Sequence, residues 1–322
     1  MKRIIALCFC IILIFTASAC GEPAGDAGKI SIVTTIFPVY DWLRNVAAGV
    51  DGVEIKMLID SGVDLHSFQP TTKDILEIST CDMFVYVGGE SDEWVDDALG
   101  ESTNKKLSAI NLIDTLGESK LEEELKEGMQ GEEEESEEDE EEETEYDEHI
   151  WLSLKNAKII CRAVCGALCK VDPENSAAYK SNTDEYIGKF DELDKEYEEA
   201  VNAGSKKTLL FGDRFPFRYM TEDYGIDYYA AFLGCSAESE ASFKTIVFLA
   251  NKVDELNLDY IIKIEGSDGK LANTVKQNTK KKDVEILTLD SMQSVTESRV
   301  DGGADYIEIC KENLEVLRKA LK

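Results

Sequence analysis

DPENSAAYKSNTDEYIGKFDELDKEYEEAVNA, residues 172–203, decides how this chain is built. Tyr179, Tyr186, Phe190 and Leu193 recur at intervals of seven, four and three, the apolar stripe of one long helix. Asp172-Pro173 marks its start, since proline is favoured in a first helical turn. About thirty helical residues at 1.5 Å each reach about 45 Å, the length of a whole domain. Such a helix runs the full height of two lobes and joins them stiffly. The expected organisation is an N-terminal lobe at 29–171, a linking helix at 172–204 and a C-terminal lobe at 205–322.

Strands and helices alternate on both sides of that helix. KISIVTTIFPV (29–39) reads as a buried first strand and 40–48 as the helix after it. VEIKMLI (53–59) is a second strand, 70–78 a helix and 83–87 a third strand. In the second half, strands are expected at 208–211, 227–232, 260–264 and 284–289, with helices at 219–224, 243–256, 270–279 and 306–322. Strand–helix alternation with short loops argues for parallel sheets covered on both faces. The fold class is therefore α/β: two βα lobes with parallel sheets, joined by one long helix, with a cleft between the lobes.

The first twenty residues carry a secretory signal: Lys2-Arg3, an apolar run to Phe15, then Thr16-Ala17-Ser18-Ala19-Cys20. The apolar run is short of the roughly 20 residues that span a bilayer, so it reads as a cleaved leader, residues 1–19. Small residues before Cys20 resemble a bacterial lipobox, which would make Cys20 the lipidated first residue, with 20–28 as a flexible tether. The expected location is extracytoplasmic, anchored to the cell membrane by that lipid.

The net charge of −32 argues against nucleic-acid binding, which needs clustered Lys and Arg. About half of the excess lies in 121–148, which holds eighteen acidic residues and one Lys and is expected to be a disordered acidic loop. A mobile carboxylate run of this kind would bind divalent ions weakly and raise their local concentration. Cys161, Cys165 and Cys169 follow one another at intervals of four, as core residues of a helix face do, and no Cys-x2-Cys pair suggests a zinc knuckle.

Only two histidines occur, each at a junction leading into a helix: His66 in Asp64-Leu65-His66-Ser67-Phe68-Gln69-Pro70, and His149 in Asp147-Glu148-His149-Ile150-Trp151. In parallel α/β sheets ligands bind where strands hand over to helices. Neutral imidazole with carboxylates nearby suits zinc and other late first-row metals. Either residue alone reads equally well as a structural histidine; the pairing of two such junctions favours ligation.

LIDSGVDLHSFQPTTKD (58–74) and DEHIWLSLKNAKII (147–160) resemble the two histidine motifs of the substrate-binding lipoproteins of zinc and manganese ABC importers. IVTTIFPVYDWLRNVA, VDPENSAAYKSN, LDYIIKIEGSDGKLANTV, ILTLDSM and YIEICKENLEVLRKALK are similar to the same family, so the resemblance covers essentially the whole chain after the leader. It implies a lipid-anchored monomer that captures Zn2+, or alternatively Mn2+, between its lobes and delivers it to an ABC importer permease. It implies His66, His149 and Asp290 as metal ligands. At the remaining ligand position the chain departs from the family: Gly212-Asp213-Arg214-Phe215 places Arg214 where His or Glu is usual, and arginine offers only donors. Either Asp213 takes the role, or Arg214 pairs with a cleft carboxylate such as Glu238, Glu240 or Glu265, leaving three protein ligands and a water.

A metal-dependent hydrolase and a surface adhesin are the competing readings. The chain has neither an HExxH helix nor a Gly-x-Ser-x-Gly elbow, so no enzyme activity is expected.

Overall fold

The computed structural model describes residues 29–131, 145–236 and 240–322. The leader, Cys20, the tether, the centre of the acidic run and Glu238 lie outside the described residues.

The first lobe runs β1 (Ile30–Thr34), α1 (Phe37–Val46), β2 (Val53–Met57), α2 (Thr72–Thr80), β3 (Met83–Tyr86), α3 (Trp94–Gly100), β4 (Ser108–Asn111), α4 (Leu112–Leu116) and α5 (Leu154–Val171). The linking helix is α6 (Ser176–Ala203). The second lobe comprises β5 (Thr208–Phe215), α7 (Arg218–Tyr224), β6 (Asp227–Leu233), α8 (Phe243–Glu255), β7 (Tyr260–Ile264), α9 (Lys270–Asn278), β8 (Glu285–Leu289), α10 (Glu297–Asp301) and α11 (Tyr306–Ala320).

Each lobe holds one four-stranded parallel sheet, ordered β2-β1-β3-β4 in the first and β6-β5-β7-β8 in the second. The orders are equivalent, so each sheet has a switch point beside its first strand, where connections leave in opposite directions. Sequence reading found three strands in the first lobe. The fourth, Ser108-Ala109-Ile110-Asn111, is half-exposed at the sheet edge and too short and polar to show a strand pattern.

Helix α6 begins later than Pro173 because Asp172 gathers the chain ahead of it, accepting from Tyr179 Oη at 2.6 Å and Asn175 Nδ2 at 2.7 Å. Its apolar stripe, with Tyr179, Tyr186, Phe190, Leu193, Tyr197 and Val201, is buried. The helix packs on α1 and α5 of the first lobe and on α7 and α11 of the second. One polar group ties these layers together. Asp41 on α1 is fully buried, is paired with Arg44, and accepts Tyr186 Oη of α6 at 2.9 Å and the Tyr306 amide of α11 at 3.3 Å. Burial pushes its carboxyl above the usual range, although Arg44 works in the opposite direction.

The acidic stretch is not disordered over all of 121–148, as composition suggested. Its flanks, 121–131 and 145–148, are placed. Glu122 and Tyr146 form an antiparallel bridge, and Gln130 bridges in parallel to Phe232 at the free edge of β6. The Leu121 amide donates to Tyr219 Oη at 3.0 Å, and Leu121 and Met129 pack against the core. A sheet edge and partly buried apolar side chains supply what charge counting does not see.

Among the described residues no helix is long and apolar enough to cross a membrane.

Tyr186→Phe should lower stability by about 1–2 kcal/mol, because Asp41 then keeps a buried lone pair without its donor. Chemical denaturation of both proteins measures this; equal midpoints would remove Asp41 from the joint between the layers.

Candidate metal centre

The centre lies between the lobes, beyond the C-terminal ends of both sheets. After β2 the chain turns through Asp64, whose carboxylate accepts the His66 amide at 3.1 Å and caps a short 3-10 turn at Leu65–Ser67. Before α5 the same device recurs: Asp147 accepts the His149 amide at 2.8 Å ahead of the turn at Ile150–Leu152. Each histidine thus projects from a turn held by the acid two residues before it.

Both rings are held by their Nδ1 atoms. His66 Nδ1 lies 2.7 Å from Ser91 Oγ and 3.3 Å from Glu148 Oε2. His149 Nδ1 lies 3.1 Å from Asp147 Oδ1. Carboxylate and hydroxyl partners on one ring nitrogen orient the other, which is how metal-ligating imidazoles are supported. The two Nε2 atoms face each other at 3.1 Å. Gly89 makes the arrangement possible: at φ +82°, a Cβ there would lie 2.3 Å from Glu148 Oε1, displacing the carboxylate that supports His66.

Burial alone would lower the His149 pKa, since the ring is fully enclosed, but Asp147, Glu148 and Asp64 reverse the effect and raise it. Glu148 is held below its ordinary value: His66 and Ser91 outweigh its burial. Asp64 is also lowered, by His66 and Arg214 against burial. The site is a concentration of negative charge around two imidazoles.

Cys235, two residues beyond the end of β6, completes the cluster. One ligand atom from each of His66, His149 and Cys235 lies within 4.8 Å of the others, the one such group of His, Cys, Asp or Glu among the described residues. Sequence reading overlooked Cys235 while attending to the three helical cysteines. The signal available was the one applied to the histidines: a ligand-type side chain at the end of a strand.

The other expected ligands are engaged elsewhere. Asp290 accepts the Met292 amide at 2.8 Å and pairs with Arg299 at 2.6 Å. Asp213 accepts the Arg214 amide at 3.0 Å and the Ile264 amide of β7 at 3.4 Å, so it braces the strand end rather than facing the imidazoles. Arg214 pairs with Asp64 at 2.7 Å and donates to Ser236 O at 3.3 Å. Of the partners proposed for it, the two that are described do not take that place: Glu240 is exposed, and Glu265 instead accepts the Ser291 and Gln293 amides at 2.6 and 3.2 Å. That anchoring shapes the loop after β8 so that Gln293, not Asp290, reaches the site, with Nε2 3.3 Å from His66 Nε2.

Residues 32–320 match the family described as the periplasmic component A of zinc-uptake complexes, ZnuA. The chain belongs to the ZnuA family. It is 31% identical over 323 residues to the high-affinity zinc uptake system protein ZnuA of Bacillus subtilis, covering 99% of this chain and 96% of that one. It is 30% identical over 326 residues to the zinc-binding protein AdcA of Streptococcus pyogenes serotype M3. Those residues are 99% of this chain and 61% of the AdcA length, so the chain spans about three fifths of the AdcA relatives. The crystal structure of the Zn(II)-bound ZnuA-like domain of Streptococcus pneumoniae AdcA superposes with a TM-score of 0.72 at 28% identity, covering 91% of this chain and 99% of that domain. The two parallel sheets and long helix of this ZnuA-family chain are thus the architecture of its relatives.

With only two histidines, the metal-free protein gives two assignable imidazole signals in NMR. His149 should titrate above the ordinary value of about 6.5, and Asp147→Asn should bring its pKa down. Since a metal ion takes the neutral ring, affinity should weaken as pH falls through that raised pKa. A His149 signal unchanged by Asp147→Asn would contradict the charge assignment.

Proposed function

We propose that this protein captures a zinc ion between its lobes and delivers it to the permease of an ABC importer. The observation that carries the reading is the pair of Nε2 atoms 3.1 Å apart, with both Nδ1 atoms against oxygen partners, which brings two imidazole nitrogens to one place. In tetrahedral zinc, with Zn–N bonds of about 2.0–2.1 Å, ligand nitrogens lie about 3.3 Å apart. Proximity to Asp64, Asp147 and Glu148 favours a divalent cation over a neutral ligand. Membership of the zinc-uptake family supports the same cargo, with manganese the alternative that the resemblance in the sequence leaves open.

In this reading the mature chain works outside the cytoplasm as a monomer tethered through a lipid on Cys20, and its role is transport rather than catalysis. Because α6 braces both lobes along its length, release proceeds by rearrangement of the loops carrying the ligands more than by wide opening of the lobes. The acidic run at 132–143 serves as a weak collector of cations; its deletion would slow uptake at low metal concentration.

The leaderless protein should bind one equivalent of zinc in competition with a chromophoric chelator, and the double variant His66→Ala, His149→Ala should lose that binding while keeping its far-ultraviolet circular dichroism. A deletion strain should grow poorly under zinc limitation and recover when zinc is added. Preferential manganese binding would change the cargo, and undiminished zinc binding by the double variant would move the site elsewhere.

A further inference from the structure

The two histidines leave a tetrahedral ion half coordinated, and the chain brings a third donor to the same point from the second lobe. Strand β6 ends at Leu233, and Gly234 follows. A Cβ on Gly234 would lie 2.6 Å from His149 Cε1 and 2.9 Å from Phe215 O, so only glycine lets the strand end close on the imidazole. That approach puts Cys235 in the ligand cluster with His66 and His149. Arg214 holds the arrangement by reaching Asp64, two residues before His66, with one nitrogen and Ser236 O, one residue after Cys235, with another. An arginine that cannot ligate thus links the two loops whose side chains can.

A second observation points to the same place. The Gln293 side chain is buried beside His66, and its Oε1 has no hydrogen-bond partner. The amide meets the cluster through its Nε2, 3.3 Å from His66 Nε2, and so brings an unfilled acceptor into the neighbourhood of the ligand atoms.

We infer that Cys235, as a thiolate, is the third protein ligand of the captured ion, forming a His2Cys shell that selects zinc over manganese. The inference rests on the metal-capture reading and deepens it. Thiolate is a soft ligand that favours zinc, whereas manganese prefers carboxylate, carbonyl and water oxygens. With Zn–S of about 2.3 Å, sulfur and nitrogen ligands of one tetrahedral ion lie about 3.6 Å apart, within the compass of the cluster. On binding, the ion forms a Zn–S bond and the S–H bond breaks, with the proton released to solvent. No change of oxidation state is involved.

Cobalt(II) titration of the leaderless protein tests this directly. The wild type should bind one equivalent and show a near-ultraviolet sulfur-to-cobalt charge-transfer band. Cys235→Ser should lose that band, still bind one ion, and reduce the zinc-to-manganese affinity ratio at least about tenfold. One equivalent bound by the wild type with no sulfur band, or a band that survives in Cys235→Ser, overturns the thiolate while leaving capture by the histidines intact. Failure of the wild type to bind any ion overturns both. Should the serine variant misfold, the wild-type spectrum decides, together with alkylation of Cys235 mapped by mass spectrometry. Zinc should block that alkylation, and an unprotected Cys235 in zinc-loaded protein overturns the inference.

Discussion

Everything at the cleft depends on the two lobes being held in one relation, and the carboxylate of Asp41 sits at that joint. It lies on the first helix, accepts from the linking helix and from the C-terminal helix, and is neutralised by Arg44. A buried carboxylate is tolerated only when its lone pairs are filled. Satisfying Asp41 therefore requires three helices from different parts of the chain to meet in one geometry. A site assembled from both lobes needs ligand atoms placed to within a fraction of an ångström, and a braced joint of this kind supplies that placement.

At the site itself the same economy recurs. Asp64 and Asp147 each accept the amide of the histidine two residues later, and the second also orients its ring. Glu148 supports the other histidine across the cluster. Among these carboxylates, Asp64 is paired with Arg214. Acids near in sequence and acids brought from elsewhere in the fold thus hold both imidazoles in place.

Much of this was legible in the sequence. The period of the apolar residues in 172–203 marked a long helix, and the alternation around it marked parallel sheets, because burial on one face writes itself into local spacing. His66 and His149 stood out by rarity and by position at junctions. The edge strand at 108–111 did not, since a half-exposed four-residue strand carries almost no pattern. Nor did the order of the flanks of the acidic run, which comes from a distant sheet edge and from Tyr219.

By itself the sequence determined most of the elements, the class of fold and the two histidines as candidates, all of which depend on neighbours close along the chain. Only the tertiary structure decided which acids stay away from the imidazoles and which side chains lie beside them. Asp290 and Asp213 are spent on Arg299 and on backbone amides, Arg214 is drawn to Asp64, and Cys235 reaches His149 because Gly234 leaves room. Those outcomes turn on contacts between residues far apart in sequence, where local spacing carries no information and hydrogen-bond competition in the folded chain settles each partner.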